Sequence, residues 1–195
     1  ARTEEFTLTV EQRAPLALEA PAELPLKRFS TASFAAKAKD AIPPVRFEVS
    51  PVLPAGLTLD ADTGSITGSS DQTVPETVYT LKVVDSKGGD LGTDIASFTL
   101  KVDERDKLDI SVADVPAKRY SDVDPVTVKV ASGTAIGAVA YVISPSLPDG
   151  LQFINGVISG RPTGALEATT YTVSATDEKG GELGSDDATF TLSIA

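Results

Sequence analysis

The stretch that decides the fold is residues 79–102, YTLKVVDSKGGDLGTDIASFTLKV, because it recurs 92 residues later as residues 171–194, YTVSATDEKGGELGSDDATFTLSI. The two copies share 13 of 24 residues. In each copy apolar and polar residues alternate on both sides of a Gly-rich turn, the pattern of two half-buried β-strands joined in a hairpin. A hairpin repeated at this distance predicts a tandem array of β units.

Two shorter motifs repeat upstream of the hairpin. Leu-Pro-x-Gly-Leu occurs at residues 53–57 and 147–151, and Gly-x-Ile-x-Gly occurs at residues 64–68 and 156–160. Gly placed two residues after Pro favours a tight turn. Because both motifs keep their order relative to the hairpin, each repeat reads as one whole structural unit.

A partial third copy fixes the division of the chain. Residues 6–10, FTLTV, resemble the last strand of each repeat, and the chain starts without Met or a signal peptide, so we expect a processed chain or a piece of a longer array. We assign residues 1–12 to the terminal strand of a preceding repeat or to an N-terminal extension. The two repeats are assigned to residues 13–103 and residues 104–195.

Alternation with a period of two is typical of the rest of each repeat. It occurs at residues 45–49 and 126–130, whereas no window predicts a long amphipathic helix. Residues 33–39 are rich in Ala but also fit a strand. About seven short strands in ~90 residues is the pattern of an immunoglobulin-like sandwich. The fold class is therefore all-β, with two tandem β-sandwich domains.

Composition excludes several functions. The 195 residues include no Cys and no His, which removes Ser-His-Asp triads, disulfides and zinc sites that need those ligands. A net charge of −11 disfavours nucleic acid as a partner. No apolar run approaches the ~20 residues of a membrane span, so we expect no membrane insertion.

The spaced motifs resemble the immunoglobulin-like repeats and the dystroglycan-type cadherin-like repeats of bacterial surface proteins. The resemblance covers nearly the whole chain and implies a non-catalytic, extracellular cell-surface module. The function that we favour is a structural spacer or stalk whose partners are neighbouring repeats of the same chain. One alternative is a direct adhesion module that binds a host or matrix protein. Another is a module that binds a polysaccharide or depends on calcium as cadherins do.

We expect no cofactor, and Ca²⁺ is the alternative that the resemblance raises. Asp85 and Asp177 resemble the Asp that cadherins place before the last hairpin, and Asp103 and Asp106 lie in a junction that resembles the cadherin linker. Against a site, Arg105 stands where a neutral ligand is expected. The other interpretation is that Asp85 and Asp177 accept backbone hydrogen bonds and shape a turn.

Three other candidates are weaker. The Gly-rich loop at residues 88–94 nearly matches a calcium-binding nonapeptide, but its glycines are one residue too far apart. Asp60 and Asp62 form a carboxylate pair, but their place beside a turn predicts exposure to water, and we predict no enzyme. Phe29 and Tyr120 each follow a basic pair, which suggests a structural role on an early strand.

The remaining aromatic residues offer little for binding a sugar. By strand alternation, four of them point inward and predict core positions: Tyr79, Phe98, Tyr171 and Phe190. A chain segment at residues 122–125, Asp-Val-Asp-Pro, predicts a turn before a strand that starts at Val126.

Overall fold

The computed structural model describes residues 7–195. The chain divides into two compact units, Ala1–Glu104 (unit 1) and Arg105–Ala195 (unit 2). Of the strand expected at residues 6–10, Phe6 lies outside the described residues, and residues 7–10 form no strand. Leu8 and Val10 are 76% and 83% exposed. The assignment of residues 1–12 to the last strand of a preceding repeat or to an N-terminal extension stays a prediction.

Strands make up the regular structure of unit 1. They are β1 (Ala17–Glu19), β2 (Glu23–Lys27), β3 (Phe34–Ala35), β4 (Lys37–Lys39), β5 (Val45–Ser50), β6 (Leu57–Leu59), β7 (Ser65–Gly68), β8 (Val74–Asp85) and β9 (Thr93–Asp103). They form a four-stranded sheet in the order β2-β9-β8-β5, a three-stranded sheet β3-β7-β6 and a pair β1-β4.

Unit 2 repeats this arrangement strand for strand. Its strands are β10 (Ile110–Ser111), β11 (Val115–Ala117), β12 (Val123–Thr127), β13 (Lys129–Val130), β14 (Val139–Ser144), β15 (Leu151–Ile154), β16 (Val157–Gly160), β17 (Leu166–Asp177) and β18 (Ser185–Ile194). The sheets are β11-β18-β17-β14, β12-β16-β15 and β10-β13. The prediction of an all-β fold in two tandem copies is confirmed, and residues 7–195 contain no helix that is long and apolar enough to cross a membrane.

The repeated hairpin forms the centre of each unit. Strands β8 and β9 pair antiparallel with Tyr79 opposite Phe98, and β17 and β18 pair with Tyr171 opposite Phe190. All four rings are buried, as predicted. Their inward positions follow from the alternation, since successive side chains of a strand point to opposite faces.

The second strand of each unit lies parallel to the last one. Strand β2 pairs with β9 over Glu23–Lys27, and β11 pairs with β18 over Val115–Ala117. The other strand pairs of the described residues are antiparallel. Each unit is thereby closed by hydrogen bonds between its two chain ends.

The predicted tight turns are present and explain their glycines. Leu57 N–H donates to Pro54 O at 3.1 Å, which places Gly56 at the third position of the turn with φ +87°. That φ favours Gly, and a side chain there would also collide with the carbonyl of Ser69. Gly150 has the same conformation in unit 2, with φ +89°.

The strand predicted at residues 126–130 is wrong in two respects. Strand β12 begins at Val123, so the Asp-Val-Asp-Pro segment lies partly in the strand and not in a turn before it. A register irregularity between Val123 and Val126 accommodates Pro125, which has no N–H to donate. The chain then changes sheets at Val128, so β13 belongs to another sheet.

Unit 2 contains a cleft of about 330 Å³ where unit 1 is filled. Its lining includes Val115, Ala117 and Val126. By their pairing with β18 and β16, these three residues occupy the places that Leu24, Leu26 and Phe34 hold in unit 1. The three residues of unit 1 are all larger and are buried, and the ring centroids of Phe34 and Phe98 are 4.6 Å apart. The smaller side chains of unit 2 therefore leave the cleft.

We expect Val126→Phe to stabilise unit 2 by about 1 kcal/mol, because the new ring fills the cleft and packs against Phe190. The reverse substitution Phe34→Val should destabilise unit 1 by about 2 kcal/mol, because it removes the ring that packs on Phe98. Calorimetric melting of the full chain measures both changes. A lower melting temperature for Val126→Phe would show that the cleft cannot take the ring.

Candidate functional site

Asp85 and Asp177 lie at corresponding places, at the end of β8 and of β17, and the side chains of both are fully buried. In unit 1, Asp85 Oδ1 accepts hydrogen bonds from the amides of Lys87 (2.9 Å) and Gly88 (3.0 Å). Asp85 Oδ2 accepts from Ile42 N–H at 3.0 Å and from Arg13 Nη1 at 2.5 Å. The turn-shaping role predicted for this Asp is confirmed.

The carboxylate of Asp177 is held in the same way in unit 2. Its Oδ1 accepts from the amides of Lys179 (2.9 Å) and Gly180 (3.1 Å), and its Oδ2 accepts from Ile136 N–H at 2.9 Å. Arg105 donates Nη1 to Oδ1 at 3.3 Å and Nη2 to Oδ2 at 2.5 Å. This fork-to-fork geometry is the strongest arrangement for a guanidinium and a carboxylate.

These contacts keep both carboxylates ionised. The hydrogen bond from Arg13, aided by the three amides, holds the pKa of Asp85 well below its usual range against the effect of burial. Burial raises the pKa of Asp177, but the bonds from Arg105 and the amides outweigh it and lower that pKa to about 2. The pKa of Asp177 is lower in the folded chain than its ordinary value of 3.8. Its ionised carboxylate therefore stabilises the fold fully at pH values above 3.8, and this contribution is lost as the pH falls through about 2.

Sequence reasoning missed the two arginines. Arg13 and Asp85 are separated by 72 residues, and so are Arg105 and Asp177. No local motif joins such distant residues, so the only available signal was the equal spacing in both repeats. Arg105, noted only as an unfavourable residue for calcium, is 7% exposed and closes the candidate site of unit 2.

The other two calcium candidates, Asp103 and Asp106, lie at the end of unit 1 and at the start of unit 2. Asp103 ends β9, and Lys101 Nζ lies 2.8 Å from its carboxylate. Asp106 is exposed at the start of unit 2, and its carbonyl accepts a bond from Arg105 Nε at 3.2 Å. Within residues 7–195, no group of three or more acidic side chains is arranged to hold a metal ion.

The donor set at Asp85 and Asp177 also fits calcium poorly. An ionised carboxylate offers about four lone-pair sites, and N–H donors already fill them here. Calcium requires about six to eight oxygen ligands. An ion would have to displace the guanidinium of Arg13 or Arg105 before it could reach either Asp.

The other candidates have structural roles. Asp60 Oδ1 accepts from the amides of Asp62 (2.9 Å) and Thr63 (3.0 Å), and these bonds lower the pKa of Asp60. A general acid needs the opposite shift. In the Gly-rich loop, a side chain at Gly92 would collide with the carboxylate of Asp85, so this glycine makes room for the buried pair.

Phe29 and Tyr120 lie in turns just after β2 and β11, and not on strands as predicted. Their amides donate to Ser70 O and Pro162 O at 2.8 Å, which ties each turn to the loop after β7 or β16. Arg28 and Arg119 lie over the two rings, 4.9 Å and 5.1 Å from their centroids. These contacts support the structural role that the sequence suggested.

Comparison with known proteins places the chain in a family. The family model described as "Putative Ig domain" matches residues 7–103 and 110–195. The chain belongs to this family. The matches cover both units, so the family accounts for the tandem repeat found in the sequence. No curated protein matches the chain significantly.

Solved structures share the fold at low identity. The structure of zebrafish RET cadherin-like domains 1 to 4 is 10% identical with a TM-score of 0.57, and the alignment covers 95% of this chain and 52% of that one. Sidekick-1 immunoglobulin domains 1–5 are 12% identical with a TM-score of 0.58, and the coverage is 92% and 39%. This chain thus spans about half of the first structure and two fifths of the second. Tandem Ig-like and cadherin-like domains are therefore its architecture.

We expect Arg105→Met to destabilise unit 2 by about 3 kcal/mol, because it leaves the carboxylate of Asp177 buried without its partner. Arg13→Met is the matched variant in unit 1. It should lower the free energy of unfolding by less, because the Arg13 side chain is 24% exposed against 5% for Arg105. Water therefore already solvates part of the Arg13 side chain. Denaturant unfolding of both variants measures the difference. An equal or smaller loss for Arg105→Met would contradict this account of the pair.

Proposed function

We propose that this chain is a non-catalytic extracellular module that acts as a spacer in the stalk of a bacterial surface protein. Each unit has its own apolar core and its own buried ion pair, so each can repeat along a chain without help from a ligand. Modules of this kind keep a terminal binding domain away from the cell. The negative charge of the chain, −11, keeps crowded copies soluble.

The observation that carries the proposal is the parallel pairing of the second and last strands in each unit. A pull on the two ends of the chain acts on the start of β2 and the end of β9 in opposite directions. Because these strands are parallel, the pull slides one along the other and loads all of their hydrogen bonds together. Bonds loaded together resist force better than bonds that open one after another, which suits a load-bearing stalk.

Metal independence belongs to the same proposal. In each unit a guanidinium supplies the positive charge beside the buried Asp, at 2.5 Å from the carboxylate. This cation is part of the chain, so it is present at every calcium concentration. A stalk built this way keeps its stability when the calcium around it varies.

We expect the two units to unfold at different forces when the chain is stretched by atomic force microscopy. Unit 1 should resist more, because β2 pairs with β9 over Glu23–Lys27, whereas β11 pairs with β18 only over Val115–Ala117. Ile66→Val and Ile158→Val, at matched and fully buried positions, identify which force peak belongs to which unit. Peaks of equal force, or a weaker unit 1, would refute the role given to these strands.

We expect thermal melts in millimolar calcium and in excess chelator to superimpose. Binding to the folded state at a hundredfold excess over Kd would add ~2.7 kcal/mol, a shift of several degrees for domains of this size. Magnesium at the same ionic strength is the control. A shift specific to calcium would overturn the metal-independent spacer, and Asp103→Asn with Asp106→Asn would then test the junction.

A further inference from the structure

One side of unit 2 differs from its counterpart in unit 1. This side, here called the β14–β15 side, consists of the edge strands Val139–Ser144 and Leu151–Ile154. The rings of Tyr141 and Phe153 join the two strands, with centroids 6.4 Å apart in an edge-to-face contact. In unit 1 the same places belong to β5 and β6.

The strand registers give an exact correspondence between the two sides. Val45 pairs with Asp85 as Val139 pairs with Asp177, so β5 and β14 align residue by residue. In the same way Leu59 pairs with Ile66 as Phe153 pairs with Ile158. Positions on the two sides can therefore be compared directly.

At three exposed positions, unit 1 has a charge and unit 2 has an apolar residue. Arg46, Glu48 and Asp60 of unit 1 correspond to Ala140, Val142 and Ile154 of unit 2. Val142 is 67% exposed and Ile154 is 55% exposed. Charges on an edge strand keep other strands from pairing with it, so unit 2 has lost this protection on the β14–β15 side.

The core beneath this side is also less covered. Phe47 of β5 is 3% exposed, whereas Tyr141 in the corresponding place on β14 is only half-buried. Val139 and Ile143 on the same face are half-buried, as are their counterparts Val45 and Val49, so the difference lies at the aromatic position. A further strand laid along β14 would cover these three side chains.

We propose that β14 pairs with β14 of a second copy of this chain, antiparallel about a twofold axis. The strand is self-complementary, because pairing centred on Tyr141 or on Val142 keeps inward residues beside inward residues. Its outer edge lies along a run of six residues without charge or Pro. The two four-stranded sheets then continue into one another across the axis.

The absence of charge on β14 favours this edge for pairing and a second copy of the chain as the partner. In a chain of net charge −11, two copies approach most easily where neither presents charge. The other edge strands of the two four-stranded sheets are less suitable for pairing. Strand β5 has the charged residues Arg46 and Glu48, and β2 and β11 contain Pro25 and Pro116, which have no N–H to donate. Because a twofold contact uses the same edge on both copies, the assembly closes as a dimer and does not grow into a fibre.

The test is sedimentation of the full chain over a concentration series up to the millimolar range. We expect a weak, reversible dimer. Ala140→Lys with Val142→Lys should raise its Kd roughly tenfold or more, because either register places lysines directly opposite each other. Val78→Lys with Ile95→Lys is the matched control, since these residues are 62% and 58% exposed, carry the same charge change and lie on the interior strands β8 and β9.

A second measurement locates the contact. The chain contains no Cys, so Tyr141→Cys and Val142→Cys each introduce a single thiol. The one at the centre of the pairing should form a disulfide-linked dimer under mild oxidation, because only there do the two thiols face each other, whereas Ile95→Cys should not. A chain that stays monomeric at every concentration overturns the proposal. A dimer that survives Ala140→Lys with Val142→Lys but is lost on removal of residues 1–12 also overturns it, and assigns the contact to the N-terminal segment.

Discussion

The structure of each unit depends on one buried ion pair between its first residues and its last hairpin. In unit 2 the carboxylate of Asp177 gathers Arg105 from the start of the unit, Ile136 from the loop before β14, and the amides of the hairpin turn. A carboxylate taken out of water this fully is tolerated only when paired and hydrogen-bonded, so each of these segments must hold its place. The pair therefore ties Arg13 in unit 1 and Arg105 in unit 2 to the last hairpin of the same unit. It also explains why a glycine, Gly92 or Gly184, must stand beside it.

Local patterns were enough to predict most of the fold. The alternation in residues 79–102 and its repeat predicted the central hairpins, because side-chain direction in a strand depends only on position along the chain. The turn at Asp85 was predictable for a similar reason, since its oxygen bonds amides two and three residues ahead. What sequence periodicity cannot show is which sheet a residue joins. The alternation through Val128 continues unbroken while the chain passes from one sheet to another.

The candidate site shows the same limit more sharply. Sequence reasoning found both aspartates and weighed calcium as their partner, but it did not find the arginines, because a contact across 72 residues leaves no local trace. A buried carboxylate needs a cation beside it. The chain meets that need with a side chain, which also donates hydrogen bonds along fixed directions. A hydrated ion would have required a cluster of further oxygen ligands, and residues 7–195 contain no such cluster.

Each unit has its own ion pair and its own central hairpin, and both units have the same topology, so each serves as a control for the other. Differences between them cannot arise from requirements of the common fold. Exposed charges such as Arg46 and Glu48 cost a strand edge little, because their side chains remain in water. Folding therefore supplies no reason to replace them with Ala140 and Val142, and an uncovered apolar edge lowers solubility. An advantage appears only when something covers that edge, and this is the physical basis for expecting a partner on the β14–β15 side and not on the corresponding side of unit 1.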